Sequence, residues 1–384
     1  MRAARGRPRI FAGLLAAVAA LAVGAGPGAL AAPAAQPPGW HLVRILRHCG
    51  NDSLQTVTAT GRRDAWAVGQ PPWSVACGAD VEHWDGSTWR RVPVPRGLQV
   101  SDSSAVAASS AADAWIFPQH SGFDGSSYYS YDSALHWDGR AWRASRFARK
   151  ILVFSAAAFG PADAWAFGAY DRRGALVPYA ARYDGRAWRH VTPPVAAEAL
   201  SAASRTDMWL VGPTVATAGR GVRRQRFLAA RWTGRSWQTL RLPRLQMPGT
   251  GQVYLETALA MTAGSDDLWW SYYLDGGSRN ARQHLLHWHG GRWQAIQMPA
   301  GVSPDAITQD GNGGIWVTTG ISPEHFYHYH SGRWTRYPVP SPRGYGNVVL
   351  GLAWIPGTRS QWGVGEADAN TGTHTIATIA RYQP

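Results

Sequence analysis

The side chains of this chain that are capable of acid–base chemistry recur at fixed spacing. Five aspartates stand two residues before a tryptophan: Asp64, Asp113, Asp163, Asp207 and Asp267. Later in each repeat a histidine or an arginine stands six residues before another tryptophan: His83, His136, Arg182, Arg231, His287 or His328. Such an Asp can pair with this histidine or arginine, or it can accept hydrogen bonds from a turn. Because a position repeated around a fold cannot converge on one centre, we assign these residues a structural role and predict no catalytic residue.

Two histidine clusters also have the composition of a metal site. They comprise His284, His287 and His289 near one predicted strand, and His325, His328 and His330 near the next. Alternate residues of a strand share one face, and imidazole is a common zinc ligand. However, His287 and His328 occupy the repeated position that histidine or arginine holds in every blade from the first to the sixth, and His289 and His330 take a position that Asp holds elsewhere. We therefore predict no metal and no cofactor.

The elements that position these residues come from a repeat of about 44–60 residues. Its first half is a strand of small residues, a short turn and the Asp-x-Trp motif, with weaker copies lacking the Asp at Trp316 and Trp362. Its second half reads aromatic, two turn residues, then a closing Trp. The copies are Trp84–Trp89, Trp137–Trp142, Tyr183–Trp188, Trp232–Trp237, Trp288–Trp293 and Tyr329–Trp334. Each repeat thus contains four predicted strands, which we call A to D.

The Asp-Gly pairs predict two-residue hairpin turns, since both positions of that turn favour positive φ. Such a turn would place Trp84 opposite Ser87 and diagonal to Trp89. Four-stranded repeats of this length are typical of propeller blades. The seventh repeat ends at a C strand, Thr375–Tyr382, whereas Gly39–Ile45 resembles an isolated D strand. We predict an all-β, seven-bladed β-propeller with four-stranded blades, whose ring is closed by the N-terminal strand in the last blade.

Asp-x-Trp and Trp-Asp-Gly-x-x-Trp make residues 40–384 similar to kelch, galactose-oxidase-like and tryptophan-aspartate-repeat propellers, above all to Trp-rich exported propellers of bacteria. The resemblance implies the architecture, and no family's active site carries over residue by residue. A copper-radical oxidase needs a cysteine crosslinked to a tyrosine. A sialidase-like hydrolase needs three arginines, a tyrosine and acids converging at the centre.

The N-terminus predicts export. Four arginines in the first nine residues, an apolar stretch from Ile10 to Val23 and Ala29-Leu30-Ala31 form a signal-peptide pattern. We assign residues 1–31 to a signal peptide, 32–39 to a Pro/Ala-rich linker and 40–384 to a single propeller domain. The mature chain is predicted to be secreted, monomeric and without a membrane span. Cys49 and Cys77, the two cysteines, are predicted to form a disulfide bond outside the cell.

The non-repeating residues of the B–C connections are the candidate ligand contacts. They are Trp73, Tyr128, Tyr129, Tyr131, Arg220, Arg223, Arg224, Arg226, Trp270, Tyr272 and Tyr273. Tyrosines among small polar residues suit recognition, and arginine clusters favour anions. With a net charge of +14, we predict non-enzymatic binding of an extracellular or cell-envelope glycan, an anionic polymer or a protein. No motif for nucleic-acid recognition is present. The alternative is a propeller enzyme of galactose-oxidase-like or sialidase-like type.

Overall fold

Seven strands rich in small residues form the inner ring of the molecule. The computed structural model describes residues 37–48, 50–69, 79–95, 105–123, 128–172, 175–214, 216–217, 227–243, 255–261, 266–274, 282–300, 302, 304–319, 325–369 and 374–384. Each A strand contacts the A strand of the next repeat, and the seventh contacts the first. The predicted seven-bladed propeller is confirmed. In this part of the chain no helix has the length and apolar character needed to cross a membrane.

The strands follow the predicted order, and all pairs within a blade are antiparallel. The N-terminal strand is β1 (Gly39–Leu46), and blade 1 contains β2 (Thr56–Gly61), β3 (Asp64–Gly69), β4 (Asp80–Trp84) and β5 (Trp89–Arg91). Blade 2 contains β6 (Val106–Ser110), β7 (Asp113–Ile116), β10 (Ala134–Trp137) and β11 (Trp142–Ser145), with a separate hairpin of β8 (Gln119–Phe123) and β9 (Tyr128–Asp132) between β7 and β10. Blade 3 contains β12 (Leu152–Gly160), β13 (Asp163–Arg172), β14 (Ala175–Tyr183) and β15 (Trp188–Val191).

Blades 4 to 7 continue this pattern. Blade 4 contains β16 (Ala199–Ser204), β17 (Asp207–Pro213), β19 (Phe227–Trp232) and β20 (Trp237–Leu240), while β18 (Ala216–Thr217) pairs with β14 of blade 3. Blade 5 contains β21 (Leu255–Met261), β22 (Asp267–Leu274), β23 (Arg282–His289) and β24 (Arg292–Ile296). Blade 6 contains β25 (Ile307–Gln309), β26 (Ile315–Val317), β27 (His325–His330) and β28 (Arg333–Pro338). Blade 7 contains β29 (Tyr345–Trp354), β30 (Gln361–Ala369) and β31 (Thr375–Gln383), completed by β1.

Closure of the ring by the N-terminal strand is confirmed. β1 pairs antiparallel with β31, with Trp40 opposite Tyr382. An ion pair then links this outer strand of blade 7 to blade 1, since Arg44 Nε lies 3.1 Å from Glu82 Oε2. Glu82 is fully buried; burial raises the pKa of its carboxyl above the ordinary value, and Arg44 opposes that rise. The N-terminal strand is therefore also held to blade 1 by an ion pair whose carboxylate is buried.

The prediction of two-residue turns in the C–D hairpins is wrong for the first four blades. Trp84 lies directly opposite Trp89, so the loop has four residues and not two. The carboxylate of Asp85 accepts hydrogen bonds from the Ser87 and Thr88 N–H groups, both at 2.9 Å. A capping Asp therefore stabilises a longer loop. The two-residue turn occurs only in blades 5 and 6, where His289 pairs with Arg292 and His330 pairs with Arg333.

Packing between blades rests on the B-strand tryptophans. Among the described residues there are seven hydrophobic clusters, one at each interface between neighbouring blades. Trp66 is fully buried and lies 6.2 and 6.1 Å, between ring centroids, from Trp137 and Trp142 of the next blade. These offset and edge contacts are favoured by aromatic quadrupoles. The Trp-rich composition is thus mostly core.

The repeated histidine or arginine of strand C stacks on the B-strand tryptophan and reaches the Asp of the A–B turn. The pairs are Asp64–His83 at 2.7 Å, Asp113–His136 at 2.6 Å, Asp163–Arg182 at 2.8 Å, Asp207–Arg231 at 2.9 Å, Asp267–His287 at 2.7 Å and Asp310–His328 at 2.9 Å. The pairing proposed from the sequence is present in all five blades where Asp-x-Trp occurs. Blade 6 uses Asp310, which the sequence analysis missed because it lies outside that motif.

Glycine on strand B permits a close approach to strand A, as in blade 3, or to the link that precedes strand A, as in blade 4. A Cβ atom built on Gly168 would lie 1.8 Å from the carbonyl oxygen of Leu152, and one on Gly212 would lie 1.8 Å from that of Ala196. Neither contact can be relieved by rotating a side chain, because both oxygens belong to the backbone. The inner ring therefore requires glycine at these positions.

Replacing Asp64 or Asp207 by Ala should lower the free energy of unfolding by roughly 1–3 kcal/mol, because His83 loses its hydrogen-bond partner at the A–B turn and Arg231 loses the less exposed of its two carboxylate partners. Asp266→Ala is the matched control. Asp266 contacts the same Arg231, at 3.1 Å, but its side chain is 73% exposed, so its loss should cost less than about 0.5 kcal/mol. Urea unfolding measures the differences. An unchanged stability of Asp64→Ala and Asp207→Ala would contradict the structural role.

Gly168→Ala should destabilise the protein by at least roughly 2 kcal/mol, because the added methyl group must displace backbone. Gly61→Ala is the control, since a Cβ there meets no atom within 4 Å. Thermal unfolding of both variants compares the effects. Equal melting temperatures for the two would show that the inner ring tolerates the wider strand spacing.

Candidate functional site

The end of each blade at which strand C begins is also the end at which strand A begins, so the B–C connections and D–A links share one face. Several predicted ligand residues lie outside the described part of the chain: Trp73, Arg220, Arg223, Arg224 and Arg226, together with Cys49 and Cys77. Tyr128 and Tyr129 lie on β9, and Tyr272 and Tyr273 lie on β22. Strands therefore hold tyrosines that the sequence analysis assigned to loops.

Trp270 is the clearest correction among the predicted ligand residues. The sequence analysis placed it in a B–C connection, but β22 continues through it to Leu274. Its side chain is fully buried in the cluster between blades 4 and 5, with its ring centroid 6.0 Å from that of Trp293. Trp270 is part of the core and does not present a surface to a ligand.

Tyr131 is held at the base of the β8–β9 hairpin. It pairs across the hairpin with His120, and the two rings stack at a centroid distance of 5.1 Å. The His120 ring is fixed in turn by a 2.9 Å hydrogen bond between Nε2 and the Ser133 hydroxyl. Tyr131 remains half-buried, so one part of its ring is accessible while its position is set by neighbours.

Two consecutive cations of the link between blades 2 and 3 lie over tyrosines. Lys150 Nζ is 5.0 Å from the ring centroid of Tyr131, and the Arg149 guanidinium carbon is 5.0 Å from that of Tyr170. Both cations are exposed, and both tyrosines are half-buried. We call these four residues the cation–tyrosine surface. The sequence analysis missed its cations, although Lys150 is the one lysine of the chain.

The link that carries these cations is anchored to the hairpin by a buried acid. The Asp132 N–H donates to the Ile151 carbonyl at 2.7 Å, and its Oδ2 accepts from the Val153 N–H at 2.6 Å. Asp132 is 6% exposed, and its Oδ1 has no hydrogen-bond partner among the described residues. Burial raises the pKa of this carboxyl to about 7, despite the bond from Val153.

A second carboxyl on the same face is in a similar environment. Glu198 directly precedes β16, and burial raises its pKa to about 7. Its Oε2 is buried without a hydrogen-bond partner among the described residues. Two acids of this kind can hold a proton near neutral pH, which is a property of general acids in enzymes and also of acids that are simply buried.

Three groups of described residues bring three potential metal-ligand atoms within 4.8 Å of one another: Asp267, His287 and His289; Asp310, His328 and His330; and His48, Asp52 and Asp80. In the third group Asp80 is already paired with Arg91, at 3.1 Å. The first two groups lie on the opposite face, at the hairpins of blades 5 and 6. The sequence analysis considered histidines on one face of a single strand and rejected a metal site; it did not anticipate that an Asp of the same blade would lie beside both histidines.

No protein-family model and no curated protein sequence matches the chain. Among solved structures, it is similar to YCF48 bound to D1 peptide, with a TM-score of 0.56 and 13% identity over 92% of this chain and 99% of that chain. It is also similar to a polysaccharide lyase of family PL25, an ulvan lyase, with a TM-score of 0.50 and 11% identity over 88% of this chain and 95% of that chain. At these identities the similarity shows the propeller fold alone.

Proposed function

We propose that this chain is an exported, non-enzymatic propeller that binds an anionic extracellular or cell-envelope glycan through the face formed by its B–C connections. The observation that carries this proposal is the cation–tyrosine surface between blades 2 and 3. The proposal includes secretion through residues 1–31, a Cys49–Cys77 disulfide bond and a monomeric mature protein. A protein partner is the alternative ligand class.

The chemistry of the surface suits an acidic sugar chain. Two half-buried tyrosine rings offer rigid apolar area, and Arg149 and Lys150 add two exposed positive charges. A cation over a ring is attracted to the aromatic face, which fixes its position before a ligand arrives. A preformed surface loses less conformational entropy on binding than separate mobile side chains would.

Two propellers of the same fold support a binding or glycan-directed role without specifying it. YCF48 was solved bound to a peptide, and the ulvan lyase acts on a polysaccharide. Removal of residues 1–31, with four arginines and no acid, lowers the net charge from +14 to +10 (14 − 4), and this positive charge favours an anionic partner over a neutral one. Binding that depends on exposed cations should weaken as salt is added.

A glycan array probed at low and high salt tests the proposal. We expect acidic glycans to be retained at low salt and released at high salt. The double variant Arg149→Ala/Lys150→Ala should weaken binding at least tenfold. Arg143→Ala/Arg189→Ala removes the same charge from the hairpin face, where these arginines pair with Asp138 and Asp184, and should change affinity less than twofold.

Three results would contradict this function. An array without acidic-glycan binding at either salt concentration would favour the protein partner. Equal weakening by both double variants would show that net charge and not this surface attracts the ligand. Release of reducing ends from a bound glycan would identify an enzyme, the candidate that the raised pKa values of Asp132 and Glu198 support.

The pKa of Asp132 gives a stability prediction that is independent of the ligand. Its folded pKa, about 7, exceeds its ordinary value of 3.8, so the stability that it contributes is complete below pH 3.8 and is lost as pH rises towards 7. Asp132→Asn imitates the protonated acid. Its advantage over wild type should grow with pH by up to roughly 4 kcal/mol and level off above pH 7. Urea unfolding at pH 4.5, 6 and 8 measures this; a difference that does not vary with pH would contradict the raised pKa.

A further inference from the structure

The hairpin face of blade 6 gathers two histidines around one carboxylate oxygen. Oδ2 of Asp310 lies 2.9 Å from His328 Nε2 and 3.0 Å from His330 Nδ1. Oδ1 of the same carboxylate accepts hydrogen bonds from the backbone N–H groups of Asn312 and Gly314, at 2.6 and 2.8 Å. Asp310 is 4% exposed. The carboxylate is thus fixed by the turn and directs its second oxygen at both imidazoles.

The Asp of this cluster lies earlier in the chain than the Asp of the other blades, and a glycine leaves space for its side chain. Two residues before Trp316, where five other blades have Asp, blade 6 has Gly314. A Cβ atom on Gly314 would lie 2.5 Å from Asp310 Oδ2 and 2.9 Å from His330 Nδ1. Any side chain at this position would therefore collide with two of the three ligand atoms, Asp310 Oδ2 and His330 Nδ1.

The second histidine depends on the short hairpin of this blade. Ser331 and Gly332 have φ values of 49° and 79°, and His330 pairs directly with Arg333. β27 is thereby one residue longer than the C strand of blade 1, so His330 stands on the same strand face as His328. At the equivalent position in blade 1, Asp85 caps its own loop.

These donors match the requirements of Zn²⁺. Two imidazole nitrogens and a carboxylate oxygen are common protein ligands of this ion. Bonds of about 2.0–2.1 Å in a tetrahedron place ligand atoms about 3.3 Å apart, close to the 2.9 and 3.0 Å separations found here. The ion would displace the protons that now join the imidazoles to Asp310.

The surroundings hold two of the three ligands in place before an ion binds. The His328 ring stacks on Trp316 at a centroid distance of 4.3 Å and an interplanar angle of 8°. Asp310 is held by the turn N–H groups, as described. His330 has a side chain that is 35% exposed, so the cluster is open to solvent. Such outer contacts orient ligands and strengthen metal binding.

We propose that Asp310, His328 and His330 form a site for a divalent transition-metal ion, with Zn²⁺ as the ion tested. Three protein ligands leave a coordination position for water or for a group from a partner molecule. The site lies at the hairpin end of blade 6, on the face opposite the cation–tyrosine surface. It does not depend on the proposed function of that surface.

Isothermal titration of the untagged, metal-free protein with ZnCl₂ at pH 7.5 tests the site. We expect one Zn²⁺ per chain with a low-micromolar Kd, and His330→Ala should weaken it at least tenfold. His289→Ala in blade 5 is the matched control. His289 is also a hairpin histidine, but it is 72% exposed and lies 3.5 Å from Asp267; its loss should change the tight site less than twofold.

Co²⁺ provides a second readout that does not rely on affinity. The wild-type complex should show the visible d–d bands of four- or five-coordinate Co²⁺, and His330→Ala should lose them while its circular dichroism stays native. The proposal is overturned if wild type binds Zn²⁺ no better than millimolar, if His330→Ala retains both affinity and bands, or if His289→Ala causes the same loss.

Discussion

The insertion of each B-strand tryptophan into the aromatic pair at the C–D hairpin of the next blade is the interaction on which the rest of the structure depends. The last blade repeats it towards the first, since the Trp362 ring centroid lies 5.1 and 5.0 Å from those of Trp84 and Trp89. Each interface therefore needs a tryptophan from one blade and an aromatic pair from the next. Blade 7 completes its aromatic pair only with the N-terminal strand, because Trp40 is the residue that lies opposite Tyr382 and contacts Trp316.

The repeated polar residues pack against the other face of each B-strand tryptophan. His136 stacks on Trp115 at 4.1 Å and bonds to Asp113. In blade 7, Arg381 lies 5.1 Å from the ring of Trp362, and burial lowers the pKa of its guanidinium. The aromatic face compensates part of the cost of burying a cation. The histidines and aspartates at the repeated positions are therefore part of the packing and hydrogen bonding of each blade.

The two faces of the propeller consequently differ in the side chains that they present. On the face of the B–C connections, packed blades hold non-repeating side chains such as Tyr131 and Tyr170 at fixed positions, with exposed cations beside them. On the hairpin face the same residue positions recur from blade to blade, so a blade that differs from the others at these positions is easily identified. Blade 6 departs from the repeat in the position of its Asp, in the residue before its hairpin turn and in the length of that turn. Together these three differences bring Asp310, His328 and His330 into one cluster.

The sequence by itself determined the blade number, the strand order and the ring closure, because tryptophan and turn residues recur every 44–60 residues and the strand Gly39–Ile45 matches the D strand that the seventh repeat lacks. It also indicated the pairing of the repeated Asp with a His or Arg of the same blade, as one of two alternatives, the other being hydrogen bonds from the turn. Tertiary structure alone decided which candidates are accessible: β22 extends far enough to bury Trp270. It also brought Arg149 and Lys150 over tyrosines of two blades, and Asp310 to two histidines 18 and 20 residues away. Those contacts depend on strand length, turn geometry and packing between blades, which residue spacing does not encode.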